Sequence, residues 1–259
     1  MVGCTEQPAT VSPESTPRLE PIITTPEKEK DSIVEKEELK EPLIRHLEEL
    51  SLVEPSKSYT SVKRAIERER GQLISKELEM DVLSMLFKTA LLNKIIPFWE
   101  GTEWSFEGHT SKPKSGTIAC GYFVSTTLQH IGLNINRYKL AQQSPINEAT
   151  SLAVNINVKE FSAPSNTQNI AAIHAYLKEG IHFIGFDQSH VGFILKEKGH
   201  LYLIHSNYSD GVGVGIEPIE QSVVFDSYNR FYITELSTNV SLVSHWIEGK
   251  AIPIIKVEN

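Results

Sequence analysis

The hydrophobic period of this chain changes once, near residue 180, and that change limits the folds open to it. Before it, apolar residues recur at helical spacing over residues 62–92, 120–131 and 168–179. After it come short β-rich segments separated by turn residues: 181–186, 191–195, 201–205, 223–225 and 231–233. Helices followed by an antiparallel sheet predict an α+β fold.

The first 55 residues differ in composition from the rest. Residues 1–56 hold thirteen acidic and six basic side chains, in a chain whose formal net charge is −8. Residues 5–55 contain seven of the thirteen prolines and no aromatic residue, so they cannot bury enough apolar surface to fold alone. We interpret residues 1–55 as an acidic tether and residues 56–259 as one domain with an N-terminal helical part, 56–96. This domain is nearly neutral and lacks clustered Lys and Arg, which argues against a nucleic-acid partner.

Aromatic residues and glycines are frequent in residues 98–116, which predict a structured loop before the next helix. Trp99 and Trp104 either line a cleft there or pack in the core. The preceding helix is expected to end before Pro97, because proline disfavours helical geometry in the residue that comes before it. The glycines of residues 211–215 lack the Lys-Ser/Thr of a phosphate-binding loop, so they predict a simple turn.

Only two cysteines occur, Cys4 and Cys120, which excludes a disulfide framework and a multi-cysteine metal site. Cys4 follows small residues and precedes the tether, as in a bacterial lipoprotein, although the charged and apolar parts of a signal are missing. It is either a lipidation site or an incidental thiol. No run of 18 apolar residues is present, so we expect a protein that is soluble or anchored only by lipid.

Cys120 stands at the predicted start of a helix. The helix dipole and the free backbone N–H groups there favour a thiolate, and the same N–H groups can donate to an oxyanion. Cys120 is therefore a candidate nucleophile. The alternative is a small buried hydrophobic residue beside Ile118 and Ala119. No set of His, Cys and carboxylate residues has metal-ligand spacing, and no cofactor is expected.

A predicted hairpin brings three polar residues to one face of the sheet. With a four-residue loop His190 pairs with His205, and with a Lys198-Gly199 loop it pairs with Asn207. The two registers differ by one strand period, so His190, His205 and Asn207 share a face in both. Such polar groups on an apolar face are costly unless they serve each other, which favours a Cys-His-polar triad. His190 is the candidate base, and either His205 or Asn207 orients it.

The order of these motifs resembles the NlpC/P60 superfamily of papain-like cysteine peptidases. A cysteine begins a helix, His-Val-Gly begins a strand, and an Ile-His-Ser segment lies in the next strand; the resemblance covers residues 99–208. It implies a papain-like fold, with Cys120 as nucleophile, His190 as general base and His205 as orienting residue. The family usually has Asp-Cys-Ser-Gly at the nucleophile, where this chain has Ala-Cys-Gly-Tyr. We count Gly121, Trp99 and Trp104 as substrate-binding. The family's upstream tyrosine has no obvious equivalent, and either Trp99 or Trp104 is expected to occupy its space.

The resemblance implies a cysteine amidohydrolase or peptidase that cleaves amide bonds in peptidoglycan stem peptides. Together with the tether and Cys4 it implies a location in the cell envelope, either in the periplasm or as a membrane-anchored lipoprotein. The expected partner is peptidoglycan or another peptide substrate. Two alternatives remain open at this stage: an inactive papain-like binding module or scaffold, and a cysteine-dependent transferase or deamidase acting on a protein.

Overall fold

A computed structural model describes residues 58–76, 78–187, 189–209 and 213–257. The predicted tether and the predicted lipidation site at Cys4 lie outside these residues. The described residues contain helices on both sides of one sheet. The helices are α1 (Tyr59–Leu73), α2 (Met80–Lys88), α3 (Ile96–Trp99), α4 (Cys120–His130), α5 (Arg137–Ala141), α6 (Pro145–Leu152), α7 (Asn166–Tyr176), α8 (Val223–Asp226) and α9 (Val240–Glu248).

The sheet has six strands, all of whose pairs are antiparallel, in the order β1-β6-β2-β3-β4-β5. The α+β class expected from the change of period is confirmed. The strands β2, β3, β4 and β6 match predicted segments, whereas β1 and β5 were not predicted. The strands are β1 (Lys159–Phe161), β2 (Gly180–Phe186), β3 (His190–Glu197), β4 (His200–Asn207), β5 (Gly213–Pro218) and β6 (Phe231–Glu235).

Two sequence assignments after residue 210 were wrong. The predicted strand at 223–225 is helix α8, because the Ser222 side chain accepts a hydrogen bond from the Phe225 amide and so caps a helix start. The predicted glycine turn at 211–215 overlaps β5, which begins at Gly213 and pairs with β4. In both places a tertiary or capping contact decides the local structure.

The helix before the aromatic loop passes through Pro97, so the prediction that it ends earlier was wrong. A π-helical segment, Thr89–Ile95, joins α2 to α3, and Pro97 then lies in the first turn of α3. A proline is tolerated there because the first amides of a helix need no partner within it. By length and composition Met80–Trp99 could cross a membrane, but Phe87, Leu91 and Ile95 are fully buried in the protein core.

The sheet separates two apolar clusters. Phe183, Phe193 and Ile204 belong to the larger cluster, which also contains buried residues of α2, the π-helical segment, α4 and α9. Side chains of alternate parity, such as Ile184 and Ile194, belong to a second cluster with α7 and α8. A strand alternates its side chains between the two faces, so both faces of the central strands are buried.

His182, on β2, gives the fold a dependence on pH. Its ring is completely buried, Nε2 donates to the Lys178 carbonyl, and Nδ1 has no hydrogen-bond partner in the described part of the chain. Burial lowers its pKa to about 4, against 6.5 in the unfolded chain. The unfolded state therefore binds more protons between these values, and stability is lost as the pH falls from 6.5 towards 4.

We expect His182→Gln to lose less stability on acidification than the wild type does. Urea unfolding at pH 7.5 and at pH 4.5 measures the difference, which should be about 2 kcal/mol smaller in the variant. His200→Gln is the matched control, because that ring is exposed on β4. Equal acid losses in all three proteins would show that His182 does not contribute.

Candidate active site

An open cavity of about 350 Å³ lies at the end of the sheet where β3 begins. Its walls come from the start of α4, from α6, from the aromatic loop and from residues at the ends of β3 and β4. It brings together two of the predicted catalytic residues and two of the predicted substrate-binding residues. Its lining includes Cys120, His190, Trp104, Gly121, Glu148 and Tyr208.

Cys120 is the first residue of α4 and is partly accessible from the cavity. Backbone N–H groups of Val191 and Gly121 donate to its sulfur, which favours the thiolate. Desolvation is the larger effect and raises the pKa of the thiol to about 11. The expectation that the helix start favours a thiolate is therefore outweighed by burial, and the resting side chain is a thiol.

His190 begins β3 beside Val191, whose amide reaches the Cys120 sulfur. Its Nε2 lies 2.8 Å from Nδ1 of His205. Burial, and then the neighbouring His205, lower the pKa of His190 well below its usual value, so the ring is neutral at neutral pH. His190 and Cys120 line the same cavity, and a neutral imidazole is the protonation state that general-base catalysis needs.

The hairpin uses the Lys198-Gly199 loop, since Glu197 pairs with His200 and Phe193 with Ile204. In this register His190 stands opposite Asn207, but the ring it contacts is that of His205, its diagonal neighbour. Asn207 Oδ1 instead accepts from the Ser209 amide. Of the two predicted orienting residues, His205 and not Asn207 therefore contacts His190.

Glu217 continues this line of hydrogen bonds. Its Oε1 lies 3.2 Å from His205 Nε2 and also accepts a short hydrogen bond from the Ser222 hydroxyl. A carboxylate that accepts from His205 Nε2–H leaves His205 Nδ1 as an acceptor, which in turn requires His190 to donate from Nε2. The remaining His190 nitrogen, Nδ1, then carries the free lone pair of a base.

Tyr208 and Glu148 are site residues that the sequence did not single out. The Tyr208 ring packs edge-on against His190, with 5.5 Å between centroids, and desolvation raises the pKa of its hydroxyl to about 12. Glu148, on α6, is buried in the cleft wall, and Oε2 has no hydrogen-bond partner among the described residues. No local sequence signal marks a lone glutamate on an amphipathic helix.

The substrate-binding predictions fare differently. Trp104 and Gly121 line the cavity, whereas Trp99 does not. Trp99 is fully buried, and its indole N–H donates to the Tyr59 hydroxyl, so its assignment to the cleft was wrong. The side chain packs in the core because α3 continues past Pro97 and directs Trp99 into the larger cluster.

Gly121 leaves room for its neighbours. A Cβ at this position would lie 2.7 Å from the Ala141 carbonyl oxygen and 3.1 Å from Glu148 Oε1. A serine after the nucleophile, as in the Asp-Cys-Ser-Gly pattern, would collide with the Ala141 backbone. The departure from that pattern is thus matched by the position of α5 and α6.

Among the described residues, no group of three or more His, Cys, Asp or Glu side chains could hold a metal ion. No protein-family model, no curated protein and no solved structure matches this chain.

Proposed function

We propose that this protein is a papain-like cysteine amidohydrolase of the NlpC/P60 type, with Cys120 as nucleophile and His190 as base. The observation that carries the proposal is the shared cleft. Cys120 and His190 line it together, while His205 holds the second imidazole nitrogen of His190. A nucleophile and a base that share a cleft, with a third group that orients the base, are the parts that covalent acyl transfer requires.

The resting pair is a thiol and a neutral imidazole, so the proton moves as the sulfur attacks. His190 Nδ1 takes the Cys120 proton while the sulfur bonds to the amide carbonyl carbon. The imidazolium then protonates the leaving nitrogen, and a thioester remains. Water, deprotonated by His190, attacks the thioester and releases the acid and the Cys120 thiol.

The start of α4 supplies donors for the oxyanion. The Phe123 amide is the first to bond within the helix, to the Ala119 carbonyl, so the amides of Cys120 and Gly121 have no helical partner. Both amides lie close to the Cys120 sulfur and therefore close to the carbon that it attacks, and amides at a helix N-terminus stabilise negative charge. We assign these two N–H groups to the tetrahedral intermediates.

The proposed substrate class is the stem peptide of peptidoglycan, in the cell envelope. The resemblance of the Cys, His-Val-Gly and Ile-His-Ser motifs to the family supports this class, as does the lipoprotein-like Cys4 followed by an acidic tether. A lipid at Cys4 would hold the domain within a tether length of the membrane. The cavity is open at the surface, which suits a polymeric substrate.

The test is digestion of purified peptidoglycan with the full chain, followed by mass spectrometry of the soluble products. New stem-peptide fragments that are absent with Cys120→Ala are expected. Fragments that persist with Cys120→Ala would show another nucleophile. A lack of fragments with the wild-type chain would remove the assignment to peptidoglycan.

A second function, an inactive binding module, is favoured by one observation: desolvation raises the pKa of Cys120 as it does for a structural cysteine. This function predicts that the chain co-sediments with insoluble peptidoglycan and releases no fragments. Cys120→Ala should then sediment as the wild type does. If the wild type releases fragments and Cys120→Ala does not, the protein is an enzyme and not an inactive binding module.

Glu217 is expected to tune the base through His205. Glu217→Gln removes a negative charge that lies two hydrogen bonds from His190 and would stabilise its imidazolium, so fragment release should fall about tenfold. The acid limb of the pH profile should move to lower pH, because the imidazole becomes less basic. Glu220→Gln is the matched control, since that acid is exposed three residues away. An unchanged pH profile with Glu217→Gln would rule out this role.

A further inference from the structure

Glu148 is a buried carboxyl group that the catalytic steps do not use. It lies on α6, is 1% exposed and lines the same cavity as Cys120. Its Oε2 has no hydrogen-bond partner among the described residues, although it is inaccessible to solvent. A buried polar atom without a partner costs free energy, and structural carboxyl groups are normally hydrogen-bonded or paired. Its position in the cleft wall suggests that a ligand supplies the partner.

The surroundings of Glu148 favour an uncharged carboxyl group. The described residues that line the cavity include no Lys or Arg, and their titratable members are Cys120, Tyr122, His190 and Tyr208 besides Glu148 itself. Burial raises the pKa of Glu148 well above its usual value. A neutral carboxyl group offers one O–H donor and one C=O acceptor.

We propose that Glu148 determines specificity by binding an uncharged amide group of the substrate beside the scissile bond. Binding would require the Glu148 side chain to turn towards the cavity, where its O–H would donate to the amide carbonyl and its C=O would accept from the amide N–H. This inference rests on the proposed function and names the substrate group that the same cleft recognises. Gly121 makes the contact sterically available, because the residue between the nucleophile and the carboxyl group has no side chain.

A charged substrate group fits this position less well. An ammonium group would have to lose its water and bind where the described cavity lining offers no counterion besides an ionised Glu148. An ionised Glu148 also contributes to the raised pKa of Cys120, because its charge opposes the thiolate. A neutral donor and acceptor pair avoids both costs.

Acrylamide and acrylonitrile provide the probe, because both alkylate thiols but only acrylamide carries an amide. The rate at Cys120 is read by peptide mass spectrometry of the full chain, which separates it from Cys4. The selectivity is the rate of alkylation by acrylamide divided by the rate of alkylation by acrylonitrile. This ratio is then divided by the same ratio measured for glutathione. We expect a selectivity of about tenfold for the wild type, as one or two hydrogen bonds would give.

Two variants separate a neutral from a charged role. Glu148→Gln keeps a donor and an acceptor without charge, so its selectivity should stay within about threefold of the wild type. Glu148→Met fills a similar volume without polar atoms. It should show no selectivity, so that its ratio of the two rates equals that of glutathione. Thermal unfolding checks that each variant folds; if Glu148→Met does not, the wild type and Glu148→Gln still decide.

Three results would overturn the inference: no selectivity in the wild type, loss of selectivity in Glu148→Gln, or no alkylation of Cys120 by either reagent. Faster reaction with aminoethyl methanethiosulfonate than with its methyl analogue, abolished by Glu148→Gln, would instead indicate a carboxylate that binds cations. Fragment release from peptidoglycan is measured separately. If the wild-type chain releases no fragments but still prefers acrylamide, the proposed hydrolysis is overturned and the amide-binding site remains.

Discussion

His190→Asn is expected to slow fragment release about 1,000-fold at pH 7, the range that a general base contributes. The physical reason is the raised pKa of Cys120, about 11, at which only about one thiol in 10,000 is ionised at pH 7. Without a base the reaction depends on that fraction. The residual rate of the variant should therefore rise about tenfold with each pH unit towards pH 11, and the wild type should not show this rise.

The measurement is the initial rate of fragment release between pH 6 and pH 10, by mass spectrometry. Cys120→Ala is the control at every pH and should release nothing. Asn keeps hydrogen-bonding capacity near His205 but cannot take a proton, so the variant separates orientation from proton transfer. A loss that is independent of pH would show that His190 acts only by holding the structure.

Gly213→Ala is expected to lower the free energy of unfolding by about 3 kcal/mol or more. Gly213 has φ +69°, a left-handed conformation that alanine adopts at a cost. An added Cβ would also lie 2.1 Å from the Thr102 carbonyl oxygen. That oxygen accepts from the Val214 amide, and the Gly101 amide donates to Val214, so the clash would separate β5 from the aromatic loop.

Gly199→Ala is the matched control for this prediction. Gly199 has φ +77°, but an added Cβ would meet nothing within 4 Å. Its cost should be limited to backbone strain, about 1 kcal/mol. Urea unfolding of both variants at pH 7 gives the comparison. Equal losses would show that the contact with Thr102 is relieved without cost.

The sequence pattern correctly predicted the positions of the site residues that lie within one helix or one hairpin. Cys120 begins a helix as predicted, and the two-residue period places His190 and His205 on one face in either register. The register itself was undecided. The turn has positive φ at both Lys198 and Gly199, as in a type I′ two-residue hairpin loop. Lysine rarely adopts positive φ, so the sequence does not predict this turn.

The remaining parts depend on contacts between distant segments. Glu217 reaches His205 only because β5 pairs with β4, and β5 was hidden in a glycine-rich segment that predicts a turn. Glu148 enters the cleft because α6 packs on β2 and β6, which brings its carboxyl group close to Gly121, and no local period encodes this packing. Trp99 was misplaced because a π-helical segment carried the helix past a proline.

The high pKa of the Cys120 thiol has a consequence for survival in an oxidising compartment. Peroxides and disulfides attack thiolates, and a protonated sulfur reacts with them slowly. A cysteine that stays protonated until a substrate carbonyl arrives is shielded from sulfenic acid formation between turnovers. The desolvated start of α4 thus protects the Cys120 sulfur from oxidation wherever reductants are scarce.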